Sequence, residues 1–300
     1  MRFIVVHTSP DMDAITSVWL IRKFLPGWEN AGVKFVPAGE RIGGEPKGQS
    51  FDYVIEEIGR DEYIQADTGM GPLDHHQTQS ITVCATTRTF DFIKKDLLAY
   101  KPPINPEKLE ALERMVKYVL QVDHFQEVFR KDSLADYNDF SIVNILDGLK
   151  LQKPNQDEYY VTFISQCLDA LLHDFENKIW AEREIRQNGI EFVTRWGKGL
   201  AIESINDSVV KLAQLMGYVI VARRDPRKGY LRIKARPNQN DTDKGVDLTL
   251  VSEKLRKMDP TATWFLHVSK KMLLNGSPKN PKMKPTKLPL SDIIEVLKTI

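Results

Sequence analysis

The residues best suited to chemistry lie in short polar segments in the first half of the chain. The first segment, HTSPDMDA, contains His7, Asp11 and Asp13 and directly follows the apolar run FIVV, which is typical of a buried strand. In an α/β sheet, ligands bind beyond the carboxyl ends of such strands. Taken alone, Asp11 equally fits a helix N-cap and His7 a hydrogen-bonded buried histidine, so both interpretations stay open.

Three further segments also place polar groups at the ends of predicted elements. Asp67 ends a strand in ADTG, where an aspartate turn is the alternative. The segment LDHHQ contains Asp74, His75 and His76, and its alternative is an exposed polar loop. One imidazole can bind a metal, the other can hydrogen-bond a phosphate oxygen, and the acid can fix a ring tautomer. Asp123, in VDHF, ends an amphipathic helix, where a negative charge favours a cation partner.

A site built from these acids and histidines needs positive charge. Without it, the carboxylates repel one another and some take up protons. Two divalent cations would balance the charge, and mixed carboxylate and imidazole ligands suit Mn²⁺, with Mg²⁺, Co²⁺ or Zn²⁺ as alternatives. Two ions that share a bridging carboxylate can activate a water and stabilise an in-line displacement at phosphorus. The sequence therefore predicts a metal-dependent hydrolase of phosphoesters.

In order along the chain, HTSPDMDA, ADTG, LDHHQ and VDHF resemble the four metal motifs of the DHH phosphoesterase superfamily. That superfamily includes RecJ-like exonucleases, oligoribonucleases, family II pyrophosphatases and exopolyphosphatases. LDHHQ and the basic tail also resemble the RecJ-related family named from a melanocyte-proliferating gene, whose members are linked to RNA exonuclease activity. That family carries a different first motif. The resemblance covers the N-terminal domain, and the C-terminal domain only by architecture and a few residues.

By position, the resemblance implies a role for each residue of the four motifs. One ion would be held by His7, Asp11, Asp67 and Asp123, and the other by Asp13, Asp67, His75 and Asp123. Asp67 and Asp123 would bridge the two ions and, with His75 and His76, form the catalytic set. His76 would contact the substrate phosphate, and Asp74 would lie behind the metal ligands.

The C-terminal third is locally basic and suits an anionic partner. In Tyr230–Arg236, apolar residues alternate with Arg232, Lys234 and Arg236, so these cations would share one strand face and could follow a phosphate backbone. A merely solvated face is the alternative. RecJ-like proteins have a double-glycine motif with a histidine in this domain, and the nearest counterpart here is LNGS. The remaining candidates for holding a substrate phosphate are His267, Lys270, Lys271, Asn275, Gly276 and Ser277.

Strands and helices alternate in the first half, which predicts an α/β domain with a mainly parallel sheet. The strands are expected at Phe3–Val6, Val33–Val36, Tyr53–Ile55 and Tyr63–Ala66. We expect a DHH-type catalytic domain over 1–155, a connecting helix over 156–189 that includes the apolar pattern of Tyr159–Ile179, and a smaller α+β substrate-binding domain over 190–300.

The composition is ordinary for a globular protein, with 42% hydrophobic residues among 300 and a net charge of +1. No apolar run is long enough to span a bilayer, so we expect a cytoplasmic protein without membrane contact. A homodimer is left open. Cys84 and Cys167 lie far apart in sequence, which argues against a disulfide framework.

Three functions fit these patterns. The first is an exonuclease on short single-stranded RNA or DNA, favoured by the basic strand and the RecJ resemblance. The second is a hydrolase of a small phosphate such as a nucleotide, pyrophosphate or polyphosphate, favoured by the short chain. The third is a non-enzymatic nucleotide sensor, which the complete set of six metal ligands disfavours.

Overall fold

The chain forms two compact units, residues 1–176 and 177–300, in a computed structural model. The structure describes residues 1–99, 104–240, 242–243, 245–277 and 279–300. The boundary between the units falls within one long helix, α5 (Asp157–Asn188), at the place where a connecting helix is expected from the sequence. The domain limits at 155 and 189 stay a prediction.

The first unit is built on a four-stranded sheet with the order β2-β1-β4-β3. Its strands are β1 (Arg2–His7), β2 (Gly32–Val36), β3 (Glu56–Ile58) and β4 (Asp61–Gln65). The strand β1 pairs in parallel with β2 and β4, whereas β3 runs antiparallel to β4. Three consecutive side chains of β1 are fully buried, because a central parallel strand is covered on both faces. The mainly parallel α/β sheet expected from the sequence is confirmed.

The helices of the first unit are α1 (Met12–Phe24), α2 (Ala85–Ala99), α3 (Pro106–Asp123), α4 (Ile142–Gln152) and the first part of α5. Three of them, α1, α3 and α4, begin after a residue whose side chain accepts a hydrogen bond from the first turn. The side chain of Asn105 caps α3, and Pro106 occupies the first turn, where its missing N–H costs nothing. One face of α3 is buried, so the helix is anchored along its length and ends at a fixed position, Asp123.

The second unit contains a six-stranded mixed sheet with the order β5-β6-β7-β8-β10-β9. Its strands are β5 (Ile190–Thr194), β6 (Gly197–Glu203), β7 (Ile220–Arg224), β8 (Leu231–Ala235), β9 (Phe265–Leu266) and β10 (Met272–Asn275). Its helices are α6 (Ser208–Leu215), α7 (Thr249–Met258) and α8 (Leu290–Thr299). The strand β8 lies within Tyr230–Arg236, where the alternation predicts a strand, and pairs with β7 in an antiparallel hairpin; the α+β class is confirmed.

Several local expectations are wrong. A strand expected at Tyr53–Ile55 is replaced by a 3₁₀ turn at Phe51–Tyr53, and pairing begins only at Glu56. The helices α2 and α4 and the short strand β10 lie where no element is expected from the sequence. Among the described residues, no helix is both long and apolar enough to cross a membrane.

Candidate metal centre

Two neighbouring parallel strands bring the first ligand candidates together. His7 is the last residue of β1, and Asp67 follows β4 by two residues. The backbone N–H of Ala66 donates to the carbonyl of Val5 at 2.9 Å, which extends the pairing beyond β4. Asp67 then adopts the left-handed conformation, with φ of 57°, which is costly for most non-glycine residues and recurs at functional sites. The turn leaves its side chain only 2% exposed.

The start of α1 adds a second carboxylate beside His7. One oxygen of Asp11, Oδ1, accepts hydrogen bonds from the backbone N–H groups of Asp13 at 2.9 Å and Ala14 at 3.0 Å, so it caps the helix. The other oxygen lies 3.7 Å from Nε2 of His7, which in turn lies 3.3 Å from Oδ2 of Asp67. Asp11 can therefore be both a helix N-cap and a metal ligand, because each role uses a different oxygen.

The imidazole of His75 lies among three carboxylates that come from different elements. Its Nε2 atom is 3.5 Å from Oδ1 of Asp67, 3.6 Å from Oδ2 of Asp13 and 3.7 Å from Oδ2 of Asp123. Asp67 thus faces His7 with one oxygen and His75 with the other. The four motifs, which are distributed over residues 7–125, meet in one cluster.

The carboxylate of Asp13 is held by the amino end of α2, a helix that sequence reasoning missed. Its Oδ2 accepts from the N–H of Ala85 and its Oδ1 from the N–H of Thr86, both at 2.7 Å. The Thr86 hydroxyl also donates to the Asp13 carbonyl at 3.1 Å. A helix amino end stabilises negative charge, so these contacts orient a buried carboxylate. The threonine pair after Cys84 was the available signal for a helix start.

The second histidine of LDHHQ faces a different partner. Nδ1 of His76 lies 2.6 Å from Oδ1 of Asp74, and the same oxygen accepts the backbone N–H of His76 at 3.1 Å. The other oxygen of Asp74 accepts the N–H of Met70 at 2.6 Å. Asp74 is fully buried, whereas His76 is 58% exposed. Asp74 therefore orients the ring of His76 with Nε2 as the second ring nitrogen available for a ligand.

The carboxyl end of α3 supplies the last acid. Asp123 is the final residue of the helix, and the next residue, His124, caps it with its backbone N–H. Nε2 of His124 lies 2.9 Å from the carbonyl oxygen of Val83 and therefore donates to it. This contact anchors the end of α3 beside the segment that precedes α2. His124 belongs to the VDHF motif, but sequence reasoning gave it no role.

Burial and repulsion between neighbouring carboxylates raise pKa values in this cluster, so that some of its groups hold protons. Burial raises the pKa of Asp13 well above its usual value, and the nearby carboxylates of Asp67 and Asp123 raise it further. The pKa of His75 is raised chiefly by its contact with Asp67. Burial lowers the pKa of His7, but Asp11 and Asp67 outweigh that effect and bring it to about 10. A cation that binds here replaces these protons.

Two buried oxygen atoms show that the residues fit a metal. Within the described part of the chain, Oδ1 of Asp67 and Oδ2 of Asp123 receive no hydrogen bond, although a buried carboxylate oxygen ordinarily has a partner. Asp67 and Asp123 are also the residues that the resemblance assigns as bridges. Sets of three ligand atoms within 4.8 Å of one another are His7, Asp11 and Asp67; Asp67, His75 and His76; His75, Asp123 and His124; and Asp13, Cys84 and Asp123. The expected ligands are thus close enough to share cations.

In the second unit, three of the expected substrate residues share one small pocket. Arg232, Gly276 and Ser277 line a pocket of about 180 Å³ together with Arg223 and Arg227, which sequence reasoning missed. Two acids, Asp207 and Asp225, also line this pocket. Arg232 donates to Asp207 at 2.6 and 2.8 Å, so part of its charge is already balanced. The cluster nevertheless has one more arginine than it has acids.

The other expected substrate residues do not line that pocket. Lys234 is on the same half-exposed face of β8 as Arg232, as the alternation indicates, and Arg236 follows the strand and is exposed. Nδ1 of His267 lies 2.8 Å from the Ser269 hydroxyl. Lys270 pairs with Asp247 at 3.3 Å, and Lys271 donates to the carbonyl of Val246.

Asn275 has a structural environment. Its side chain is fully buried in β10, and its Nδ2 donates to the carbonyls of Thr263 at 2.8 Å and Lys284 at 3.2 Å. Its Oδ1 accepts the backbone N–H of Thr286. Because each polar atom already has a partner, these contacts fix the neighbouring loop and leave the amide no free group for a substrate.

Comparison with solved structures gives matches at low sequence identity and low TM-score. No family model matches the sequence, and no curated protein matches it. A DHH-domain protein described as a member of the s1p family of ribosomal proteins is 9% identical, with a TM-score of 0.30 over 99% of this chain and 86% of that one. A pGpG-specific phosphodiesterase from Vibrio cholerae is 12% identical, with a TM-score of 0.24 over 98% of both chains.

A third structure, a family II inorganic pyrophosphatase from Methanococcus jannaschii, is 15% identical, with a TM-score of 0.20 over 99% of both chains. The descriptions of the first and third structures name the superfamily that the four motifs resemble, or a member class of it. Because all three TM-scores lie below 0.5, the function proposed below rests on the residues of this chain.

Proposed function

We propose that this chain is a metal-dependent phosphoesterase that hydrolyses phosphodiester bonds in short single-stranded RNA or DNA, acting from an end. The observation that carries the proposal is the position of Asp67. Its two oxygens lie 3.3 Å from His7 and 3.5 Å from His75, and the second of them receives no hydrogen bond among the described residues. A buried carboxylate placed between two imidazoles in this way is suited to bridge two cations.

The cations would be held by the six residues that meet in the cluster. These are His7, Asp11, Asp13, Asp67, His75 and Asp123. When bound, two divalent cations would supply Lewis acidity at phosphorus and an activated water, and Mn²⁺ suits the mixed imidazole and carboxylate ligands. The amino end of α2 and the cap of α1 keep Asp13 and Asp11 in place before any ion binds. Such preorganisation lowers the cost of assembling the site.

His76 would act on the substrate rather than on the metal. Its Nδ1 is engaged by Asp74 at 2.6 Å, so the ring presents Nε2 to the exterior. A proton held on that nitrogen can be donated to a non-bridging phosphate oxygen, where negative charge grows during displacement. Asp74 acts by orienting this ring.

The arginine pocket of the second unit supports an anionic substrate. Arg223, Arg227 and Arg232 converge there, each also paired with Asp207 or Asp225, and planar guanidinium groups match phosphate oxygens in bidentate pairs. The presence of Gly276 and Ser277 in the same pocket agrees with their expected role at a phosphate.

A hydrolase of small phosphates is the second candidate. It is favoured by the contacts of Arg232. Because this arginine already donates two hydrogen bonds to Asp207, it is less available to a nucleic-acid backbone. On this alternative the arginine pocket would hold the terminal phosphate of a nucleotide or of pyrophosphate.

A substrate panel with Mn²⁺ tests the proposal. The purified protein is incubated with a labelled single-stranded oligonucleotide, a dinucleotide, pyrophosphate and polyphosphate, with and without a chelator. We expect metal-dependent release of mononucleotides from the oligonucleotide and the dinucleotide. Release of phosphate from pyrophosphate alone would favour the second candidate. If no substrate is hydrolysed with Mn²⁺, Mg²⁺, Co²⁺ or Zn²⁺, both candidates are refuted.

A further inference from the structure

An apolar pocket of about 260 Å³ lies in the first unit beside the metal centre. Its inner wall is formed by the buried side chains of Met12, Met115, Val119 and Leu168. The rings of Tyr118, Phe140 and Phe175 line the rest, together with residues at the start of α4. None of these residues belongs to the predicted site, and none contributes to the chemistry described above.

Two of the lining residues are neighbours, on their helices, of residues in the metal cluster. Met12 stands between Asp11 and Asp13, and consecutive Cα atoms are ~3.8 Å apart. Val119 precedes Asp123 by four residues on α3, which places their Cβ atoms on the same helix face, ~5–6 Å apart. Two residues of the pocket wall are therefore close in sequence, on the same helices, to carboxylates of the metal cluster.

The chemistry of the pocket restricts what it can hold. Apart from the Ser141 and Tyr118 hydroxyls it is apolar, and Ser141 is already engaged because its hydroxyl caps α4. The Tyr118 ring faces the guanidinium of Arg130, 5.9 Å from its centroid, and within the described part of the chain its hydroxyl has no hydrogen-bond partner. The volume is slightly below the ~300 Å³ at which sites for drug-sized ligands begin, so one flat ring system fits and a whole dinucleotide does not.

We propose that this pocket receives one nucleobase of the substrate and so makes the enzyme selective for nucleotide esters over phosphates that carry no base. This inference rests on the proposed function. The ring would stack against Phe140, which is 93% exposed at the rim, while the Tyr118 hydroxyl remains free to meet a base edge. Base–aromatic stacking tolerates any sequence, so the pocket selects for the presence of a base rather than for one base.

The variant Phe140→Ala tests the pocket with a matched control. Phe129→Ala removes a phenylalanine that is 85% exposed and does not line the pocket. Hydrolysis is measured on a dinucleotide and on its abasic analogue, which has the same phosphodiester without bases. We expect Phe140→Ala to raise KM for the dinucleotide about tenfold, with kcat nearly unchanged, and to leave the abasic substrate unaffected. Phe129→Ala should match the unaltered protein on both substrates.

A second measurement does not require hydrolysis. The nucleoside 2-aminopurine riboside carries a fluorescent base and no phosphate, and its emission is quenched when the base stacks. We expect the full chain to quench it and Leu171→Trp, which fills the pocket from a half-buried wall position, to abolish the quenching. Quenching without hydrolysis of any phosphoester would support base binding in the pocket and refute the proposed function.

Other results would contradict the proposal that a base binds in the pocket. Hydrolysis with equal KM for the dinucleotide and the abasic analogue, together with no quenching, would show that no base binds there. If the full chain does not quench the nucleoside and Phe140→Ala changes the sedimentation coefficient of the protein, the apolar surface is a contact between copies of the chain.

Discussion

Nδ1 of His76 lies 2.6 Å from Oδ1 of Asp74, a carboxylate that is fully buried while the histidine is 58% exposed. The adjacent His75 contacts three other carboxylates with its Nε2. The shortest contact of each histidine is therefore with a different partner, although Nδ1 of His76 also lies 4.0 Å from Oδ1 of Asp67. This difference gives each residue a separate experimental signature.

We expect His76→Ala to keep its bound metal and to lose activity by roughly 10²-fold or more, because the ring would stabilise charge on the phosphate only during displacement. His75→Ala should lose metal as well, since its imidazole is within reach of three carboxylates. Metal content by elemental analysis and hydrolysis rates separate the two outcomes. His173→Ala, which removes an exposed histidine from α5, is the control. Equal loss of metal in both site variants would mean that the assigned roles are wrong.

Asp67→Asn should lose metal and at least ~10²–10³-fold of activity while the fold stays intact. Asparagine tolerates the left-handed backbone at this position better than alanine, so Asp67→Asn removes the charge with less strain, and Asp67→Ala should show the same loss of metal with lower stability. Metal content, circular dichroism and thermal unfolding check this. Asp91→Asn, an exposed position on α2, is the matched control. Full activity in Asp67→Asn would end the two-metal hypothesis.

Metal binding should strengthen as pH rises. The pKa of His7 is raised from 6.5 to about 10, and that of Asp13 is raised by burial, so each bound cation must displace protons. Titration calorimetry in buffers with different ionisation enthalpies should therefore show net proton release near neutral pH. An affinity that does not change with pH would contradict this account of the cluster.

The raised pKa of His7 also determines how the stability of the metal-free protein changes with pH. Because the folded pKa of His7 lies above its unfolded value, its contribution is fully present below pH 6.5 and is lost as pH rises towards about 10. Thermal unfolding with a chelator should show a falling Tm across this range, and the increase in Tm caused by Mn²⁺ should become larger.

Neutralising Arg232, Lys234 and Arg236 together separates the two candidate substrates. For an oligonucleotide, we expect weaker binding and a shallower salt dependence, by roughly one phosphate contact for each lost cation. Hydrolysis of a dinucleotide should barely change. The control neutralises Lys211, Lys254 and Lys257, three lysines of helices in the same unit. Equal cleavage of long and short substrates by the triple variant would show that β8 carries only a solvated face and would favour the small-phosphate candidate.

Gly276→Ala should destabilise the second unit by roughly 1–3 kcal/mol. The glycine has φ of 114°, and an added Cβ would lie 2.3 Å from the ring of Tyr230. Thermal unfolding measures the change. Gly44→Ala is the control, because a Cβ there meets nothing within 4 Å and the backbone is not left-handed. A Tm for Gly276→Ala equal to that of Gly44→Ala would mean that the loop relaxes at no cost.

The sequence by itself determined which side chains are candidates for the metal centre of the first unit, and it located most of that unit's regular elements. Four short motifs identified His7, Asp67, His75 and Asp123, because each combines metal-binding groups with the end of a strand or helix. Apolar runs and helical spacing located β1, α1 and α3, since burying a continuous stripe of side chains is the main local requirement of such elements.

Only the tertiary structure decided the contacts made across long sequence distances. Asp13 is fixed by the amino end of α2, more than seventy residues later, and no local pattern shows that pairing. Asn275 looked like a substrate group, yet its partners Thr263 and Thr286 place it in the core. The pocket between Met12, Val119 and Phe140 likewise forms only when α1, α3, α5 and the start of α4 pack together. Local spacing reports which face of an element is buried, whereas partners depend on packing between elements, and this separates what could be predicted from what could not.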